Sequence, residues 1–224
     1  MKGAVMVYEW DFSTVLANPG FWFSGVLVTF AYGFSTIAGG MIIGVLLGVA
    51  SLSKSRFVTI PIDAYVQVFR CTPLLVQIVW FYYALPIVLA VDLPAWLAAG
   101  AGLTLYMGAF CVEIFRGGII SIDKGQWQAA RAIGMREIDV MRHVILPQAA
   151  RRMIAPFINQ SVIQMKNTAL LYVVAVPDLM YRSTIIVAET FRPLEAYTLV
   201  AVIYFVILYP LVKFAQLLER RTDV

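Results

Sequence analysis

The longest run without an ionisable side chain sets the first constraint on this chain. No Asp, Glu, Lys, Arg or His occurs between Asp11 and Lys54. About 20 apolar residues are enough for a helix to cross the hydrocarbon core of a bilayer, so this run exceeds one crossing. Hydrophobic residues make up 61% of the chain and charged residues 13%, against about 45–50% and about 25% in soluble domains. Because backbone groups in lipid must be paired within their own segment, the sequence predicts an all-α integral membrane protein.

Hydropathy along the chain predicts five transmembrane helices in one domain over residues 1–224. The predicted spans cover residues 21–51, 61–85, 93–115, 154–176 and 196–212. A polar loop of about residues 117–152 separates the third span from the fourth. The N-terminal residues turn acidic and aromatic where the apolar part of a signal peptide would begin, so we interpret the first span as retained.

The residue types that serve metal and redox chemistry are few and scattered. Cys71 and Cys111 lie in apolar segments without metal-ligand spacing, and His143 has no Cys or carboxylate cluster around it. We therefore expect no disulfide framework, no metal site and no catalytic residue. No G-x-x-x-x-G-K-[ST] phosphate loop is present either. We expect that this chain holds no cofactor and binds no nucleic acid. Membrane lipid is expected to surround it.

The distribution of positive charge predicts the orientation, because cationic residues near span ends stay cytoplasmic. One side of the predicted topology has few of them: Lys2, Arg182 and Arg192. The other side has many: Lys54, Arg56, Arg116, Lys124, Arg131, Arg136, Arg142, Arg151, Arg152, Lys213, Arg220 and Arg221. The N-terminus is therefore expected outside, and the 117–152 loop and the C-terminus in the cytoplasm.

Small residues recur at a fixed spacing in the first span. Gly40, Gly44 and Gly48 lie four residues apart and therefore on one helix face. Such a face lets two helix backbones approach closely. Membrane helices also tolerate glycine in general, and the sequence leaves both interpretations open.

The loop contains a basic, helix-forming stretch at residues 125–153. Gly134 follows good helix formers, where a left-handed C-terminal residue would lie. Pro147 is expected to end the second helical stretch or turn it back toward the membrane. That stretch has a predicted apolar stripe of Met135, Ile138, Met141, Val144 and Ile145. An amphipathic hairpin of this kind suits an interfacial anchor or a docking element for a soluble protein, and composition does not choose between them.

Polar side chains at membrane depth concentrate in the fourth span. A helix surrounded by lipid does not tolerate so many, so this helix is expected to line a protein interface or a wet cavity. Helical spacing places several on roughly one face: Gln160, Ile163, Gln164, Asn167 and Thr168. Interhelical hydrogen bonding alone would also account for them.

The charged residues inside spans have more than one candidate partner. Lys166 is placed to pair with Glu113 near the end of the third span, or with the carboxylate of a substrate. Glu113 has an alternative partner in Arg116, about one helical turn on. Arg70 lies in the cytoplasmic half of its span, where its side chain can snorkel to the surface.

The stretch QAARAIGMREIDVMRHVILP at residues 128–147 resembles the EAA loop of binding-protein-dependent ABC importer permeases. That pattern is E-A-A, three residues, Gly, nine residues, Ile, one residue and L-P. Val144 takes the Ile position and Gln128 replaces the Glu. The matching positions are Ala129, Ala130, Gly134, Leu146 and Pro147.

Three further segments narrow the resemblance to the polar amino acid importer subfamily, over nearly the whole chain. FRCTPLLVQIVWFYY at 69–83 is similar to its FRGTPLLVQ segment. VEIFRGGIISIDKGQ at 112–126 resembles EI-x-RGGI-x-SI-x-x-GQ, and KNTAL at 166–170 resembles KDTSL. The resemblance implies a type I ABC importer permease with five spans and a cytoplasmic coupling-helix loop, in a bacterial inner membrane.

The resemblance also implies the partners. In the family, two cytoplasmic ATP-binding subunits bind ATP, grip the coupling loops and rock two paired permeases between inward-facing and outward-facing states. A second permease, identical or homologous, and an extracytoplasmic substrate-binding protein are therefore expected. The residues implied for ATPase contact are Gln128, Ala129, Ala130, Arg131, Gly134, Arg136 and Pro147.

In that subfamily, the Glu of the E-I-x-R-G-G segment and the K-D-T-S region lie near the translocation pathway. The implied contacts for an amino acid substrate are Glu113, Lys166, Asn167 and Thr168, with Gln164 added from helical geometry. Asn167 stands where the family has Asp, and this loss of a negative charge argues against a cationic substrate.

Two other function classes remain as alternatives. In a self-sufficient secondary transporter or channel, Glu113 and Lys166 would relay protons, but five spans without a visible inverted repeat argue against this. A membrane enzyme would need a nucleophile–base or metal constellation that the sequence does not contain.

Overall fold

The computed structural model of the protein describes residues 8–222, and over these residues the chain is helical without a β-strand. The α-helices are α1 (Phe12–Val15), α2 (Pro19–Ala50), α3 (Arg56–Cys71), α4 (Leu74–Leu89), α5 (Ala95–Ile120), α6 (Lys124–Ala132), α7 (Glu137–Asp139), α8 (Leu146–Asn167), α9 (Leu179–Thr190) and α10 (Pro193–Thr222). A π-helix (Val140–Ile145) precedes α8, and a 3₁₀-helix (Thr168–Val174) follows it.

Three helices are individually long and apolar enough to cross a membrane: α2, α5 and α10. The described residues contain up to five such crossings if each of two bent helix pairs counts as one. The start of α2 shows how the sequence sets a boundary. Asn18 accepts a hydrogen bond from the Phe21 N–H at 3.1 Å, and Pro19 occupies the first turn, where its missing N–H costs nothing.

The second predicted span is not one continuous helix. It divides into α3 and α4, whose axes differ by 108°. Thr72, at the break, is extended (φ −104°, ψ 142°), because the residue before Pro73 is disfavoured in the helical region. The Gln77 amide donates to the carbonyls of Phe69 and Thr72 at 2.9 and 3.0 Å. It thereby supplies the donor that these carbonyls lack where the helix is broken.

The fourth predicted span also differs from the structure. Its helix begins earlier, at Leu146, and its last turns tighten into the 3₁₀-helix. Ala175, in the left-handed region at φ +57°, ends that segment. The chain then bends by 46° into α9, which the hydropathy pattern does not predict. Asp178 caps α9 by accepting from the Tyr181 N–H at 2.8 Å.

The glycine face of α2 packs against α5, which confirms the close-packing interpretation. Gly40, Gly44 and Gly48 are buried and oppose, in order, Met107, Cys111 and Phe115. A Cβ at Gly44 would lie 3.0 Å from backbone atoms of Cys111, which cannot move aside as a side chain can. The α2–α5 pair is therefore the central packing unit of the bundle.

The two ends of the bundle are distinct. At one end the starts of α2, α9 and α10 meet, with Trp22 and Leu179 packed against Ala196. There the buried Glu195 carboxylate accepts hydrogen bonds from the Tyr8 hydroxyl, the Asp11 N–H and Arg192. The hydrogen bond with Glu195 raises the pKa of the Tyr8 phenol. Lys2, which the orientation prediction used, lies outside the described residues.

Candidate functional site

The hairpin, residues 124–145, extends from the end of the bundle opposite to Glu195. Its first limb is α6. Gly134, two residues after the last residue of α6, is in the left-handed region at φ +83°. The Gly134 N–H donates to the Arg131 carbonyl at 3.0 Å and the Met135 N–H to the Ala130 carbonyl at 3.2 Å. These two bonds form a Schellman motif, and glycine adopts the required conformation without strain. The predicted left-handed turn is confirmed.

The second limb of the hairpin is a three-residue helical turn followed by the π-helix. Val140 and Ile145 are buried, whereas Ile138 is 79% exposed. The prediction that Ile138 belongs to one apolar stripe is wrong, because a π turn shifts the side-chain register. Pro147 lies in the first turn of α8 and does not end the helix. Proline has no N–H to donate to the carbonyl four residues earlier. The turn that precedes Pro147 is the wider π-helix.

The base of the hairpin is packed onto α5 and α8. Ala130 is 5% exposed and lies in one buried cluster with these residues: Phe115, Ile119, Ile122, Val140, Ile145, Ala149 and Met153. Arg131 is fixed across the turn by its ion pair with Glu137, with Nε and Oε1 2.8 Å apart. The hairpin is therefore a stiff extension of two membrane helices, with α6 held against both.

The tip of the hairpin is exposed. Of the residues implied for ATPase contact, Gln128, Ala129, Arg131, Gly134 and Arg136 face solvent, and Ala130 faces inward. Two apolar side chains that flank the turn are each 79% exposed: Ile133, which sequence reasoning missed, and Ile138, which it placed in the apolar stripe. The tip therefore presents apolar as well as polar side chains.

A second surface of the molecule lies on α5 within the bundle. We call Tyr106, Phe110 and Glu113 the polar face of α5, since their spacing puts them on one side of the helix. The rings of Tyr106 and Phe110 are 4.8 Å apart. Arg70 reaches across from α3, with its guanidinium 5.6 Å from the Phe110 ring centroid and 2.9 Å from Glu113 Oε2. The contacts are continuous from Tyr106 to Glu113.

The charges at one end of the polar face alternate in sign. Arg116 donates to Glu113 Oε1 at 3.2 Å and to Asp63 Oδ1 at 2.7 Å. The predicted Glu113–Arg116 pair is confirmed, and the alternative pair with Lys166 is wrong. Arg70 pairs with Glu113 rather than snorkelling to the surface. The Arg70 and Glu113 side chains are 39% and 32% exposed, and lipid does not tolerate exposed charge, so this face borders an interface or a wet cavity.

The other substrate candidates lie elsewhere. Lys166 lines a groove of about 550 Å³ between α8 and α10, together with Tyr204 and Leu208. Gln164 is fully buried and donates to Thr36 Oγ1 at 3.1 Å and to the Leu103 carbonyl at 3.0 Å.

Thr168 is also buried, and its hydroxyl donates to the Met165 carbonyl at 2.8 Å. Gln164 and Thr168 thus pack between helices, while Glu113 lies on the polar face of α5. Sequence reasoning missed Tyr106 and Phe110, although their spacing from Glu113 is a usable signal.

The residue types that commonly ligate metals are scattered in the part of the chain that the structure describes. Among residues 8–222, no three His, Cys, Asp or Glu side chains meet as metal ligands. Cys71 is exposed and Cys111 is buried, and both thiols are free.

Comparison with known proteins identifies the family of the chain. Residues 40–224 match the family model of the binding-protein-dependent transport system inner membrane component. The chain belongs to this family. This permease is 34% identical over 219 residues to the glutamine transport system permease protein of Escherichia coli strain K12, covering 96% of this chain and 99% of that one. It is 35% identical over 217 residues to the histidine/lysine/arginine/ornithine transport system permease protein of Salmonella typhimurium strain LT2, covering 93% and 92%.

Solved structures agree with the fold. A crystal structure of an amino acid ABC transporter with histidines contains a chain that is 31% identical to this permease, with a TM-score of 0.90 and coverage of 96% and 100%. An inward-facing methionine ABC transporter matches with a TM-score of 0.68 at 19% identity, which supports the fold alone. The all-helical importer-permease fold predicted from the sequence is confirmed.

Proposed function

We propose that this permease is the transmembrane subunit of an ATP-driven importer that moves a polar amino acid into the cytoplasm. The observation that carries the proposal is the stiff hairpin with an exposed tip, because a helix cap fixed at φ +83° and a fully packed base suit the transmission of force. The substrate class is supported by the relatives, which are named for glutamine transport and for transport of basic amino acids.

The packing of the hairpin suggests how force would reach the substrate. Ala130 contacts the cluster formed by the ends of α5 and α8. The same two helices carry Glu113 and Asn167 farther along their length. Since close-packed side chains transmit displacement, movement of the tip would tilt both helices and change the exposure of the polar face.

The proposal requires separate subunits. Cytoplasmic ATP-binding subunits would bind and hydrolyse ATP and grip the tip of the hairpin, while this chain hydrolyses nothing itself. A second permease, identical or homologous, would pair with this chain in the membrane. An extracytoplasmic binding protein would deliver the substrate at the end that contains Glu195. The hairpin and the C-terminus would accordingly lie in the cytoplasm and the N-terminus outside.

The charged end of the polar face suits an amino acid backbone. Arg70 offers guanidinium donors to an α-carboxylate, and Glu113 accepts from an α-ammonium group. Charge-assisted bonds of this kind contribute about 1.5–3 kcal/mol each. The Arg70–Glu113 pair thus provides both complementary charges at one place.

Reconstitution into vesicles tests the proposed function. With the ATP-binding subunits and the binding protein present, uptake of a labelled amino acid should depend on ATP. Uptake that an ion gradient drives without the ATP-binding subunits would overturn the proposal in favour of a secondary transporter.

Removing the negative charge of the polar face should weaken substrate handling. Glu113→Gln is expected to raise the concentration for half-maximal uptake by about 10–100-fold, since it removes a charge-assisted bond of about 1.5–3 kcal/mol. The measurement is uptake against substrate concentration. Glu189→Gln is the matched control, because Glu189 is exposed on α9 and should leave uptake unchanged. Equal kinetics for Glu113→Gln and wild type would remove Glu113 from the pathway.

The exposed isoleucines at the hairpin tip should anchor the ATPase. Ile133→Asp is expected to weaken binding of the ATP-binding subunit by about 10–100-fold, because burial of an isoleucine contributes about 1.5–3 kcal/mol. Retention of that subunit on the purified permease measures the effect. Ile133→Leu keeps the apolar surface and should bind normally. Full retention by Ile133→Asp would show that the apolar tip does not dock.

A further inference from the structure

Four charged side chains alternate in sign where α3 crosses α5, and we call them the charge chain. Arg116 donates to Asp63 Oδ1 at 2.7 Å and to Glu113 Oε1 at 3.2 Å. Arg70 donates to the other oxygen of Glu113, Oε2, at 2.9 Å. From this order of contacts, we infer that Asp63, acting through Arg116, is a positioning residue for the Arg70–Glu113 pair. The inference rests on the function proposed above, in which that pair meets the two charged groups of an amino acid.

The charge chain fixes both oxygens of the Glu113 carboxylate. Because Arg70 lies on α3 and Arg116 on α5, the two guanidinium groups hold the carboxylate from two helices. A carboxylate offers about four acceptor sites, and these two contacts use two of them. A substrate ammonium group can therefore bind Glu113 without the loss of either ion pair. The direction in which Glu113 accepts it is set by Arg116 as well as by Arg70.

Asp63 balances the charge around Glu113. With Asp63, each of the two guanidinium groups in the chain has a carboxylate to offset it. Without the Asp63 charge, Glu113 would be shared by both guanidinium groups, and the site would have an excess of positive charge. Like charge disfavours an approaching ammonium group, whereas a carboxylate at Arg70 would not be repelled. Asp63 therefore favours the ammonium end of the substrate selectively.

Other contacts hold α3 on α5, so the fold does not depend on the charge chain. Val66 is buried in one cluster with Val112 of α5. The Tyr65 hydroxyl donates to a backbone carbonyl of α5 at 2.6 Å. The Asp63 side chain is 50% exposed, and exposed ion pairs stabilise a fold little. Substitution of Asp63 is therefore expected to change the local electrostatics while the fold is retained.

The test is equilibrium binding to the purified complex of permease and ATP-binding subunits, without the binding protein. The probes are L-glutamine and L-arginine, each compared with its counterpart that lacks the α-amino group. The wild-type complex is expected to bind at least one of the two amino acids about 10-fold more tightly than its counterpart. Asp63→Asn should reduce this preference by about 5-fold, because solvent partly screens the charge of a half-exposed Asp63. The loss should fall on the amino acid and not on the counterpart.

Two further variants separate charge from structure. Asp63→Glu keeps the carboxylate and should retain most of the preference. Asp92→Asn removes the same charge from the exposed loop between α4 and α5 and should leave the preference unchanged. Equal weakening of amino acid and counterpart by Asp63→Asn would show a purely structural role and overturn the inference. An unchanged preference, or a wild-type complex that binds neither amino acid, would overturn it too.

Uptake into vesicles separates the role of Asp63 from the proposed function. ATP-dependent uptake of an amino acid by the wild type, together with an unchanged preference in Asp63→Asn, would preserve the importer and refute the role of Asp63. Absence of ATP-dependent uptake of every amino acid by the wild type would refute the importer itself.

Discussion

Replacement of Gly134 by proline is expected to reduce ATP-driven uptake to the background level while the protein still inserts into the membrane. Gly134 has φ +83°, whereas the proline ring fixes φ near −65°, and the lost N–H is the donor to the Arg131 carbonyl. A cost of ~3 kcal/mol in this turn would depopulate the docking geometry by roughly 100-fold. Uptake into vesicles and the amount of permease in the membrane fraction measure the two effects.

The matched control keeps the left-handed conformation. Asparagine tolerates this region better than other residues with a side chain, so Gly134→Asn should retain most of the uptake. A Gly134→Pro variant that transports like wild type would mean that the turn has no part in coupling.

Substitution of Gly44 by leucine is expected to prevent folding rather than to slow transport. The α2 and α5 backbones are so close at this point that even a Cβ would lie 3.0 Å from backbone atoms of Cys111. Overpacking typically costs about 1–3 kcal/mol, and here the helices themselves must separate. The yield of monodisperse permease in detergent should fall sharply, and the remaining protein should unfold at a lower temperature.

Gly117→Leu is the control for Gly44→Leu, since it adds the same side chain where no heavy atom lies within 4 Å of the added Cβ. It should accumulate and unfold like wild type. Normal stability of Gly44→Leu would contradict the close packing of α2 on α5.

Features with a local signal were predictable from the sequence. The α2 helix follows from an uninterrupted apolar run, and its packing face follows from glycine at every fourth residue. The Gly134 turn follows from a glycine placed after strong helix formers. In these cases the residues that determine the structure are neighbours in the sequence.

Features that depend on departures from regular helical geometry, or on residues far apart in the sequence, were not predicted. Hydropathy averaged over residues 61–85 conceals the break before Pro73, and a regular helical period conceals the π turn that exposes Ile138. The pairing of Arg70 with Glu113 joins residues 43 positions apart and depends on how α3 crosses α5. The polar face was therefore recognised only in part, through Glu113.

The proposed function links the hairpin tip, its packed base and the polar face. In that function, the hairpin tip would contact an ATP-binding subunit, the packed base would transmit the displacement, and the polar face of α5 would hold the substrate. Replacement of the family Glu by Gln128 leaves an exposed amide at the tip. The exposed apolar side chains of Ile133 and Ile138 would offer an ATP-binding subunit a contact that is independent of charge.

Cross-linking from the hairpin tip during turnover tests most directly whether an ATP-binding subunit grips and moves the hairpin. A single cysteine replaces Ile133 in a chain where the exposed Cys71 is serine, and the complex is trapped with and without ATP hydrolysis. We expect cross-links to the ATP-binding subunit whose yield or pattern changes between the two conditions. A cysteine that reacts freely with a water-soluble reagent, or only with lipid, in both conditions would contradict this expectation.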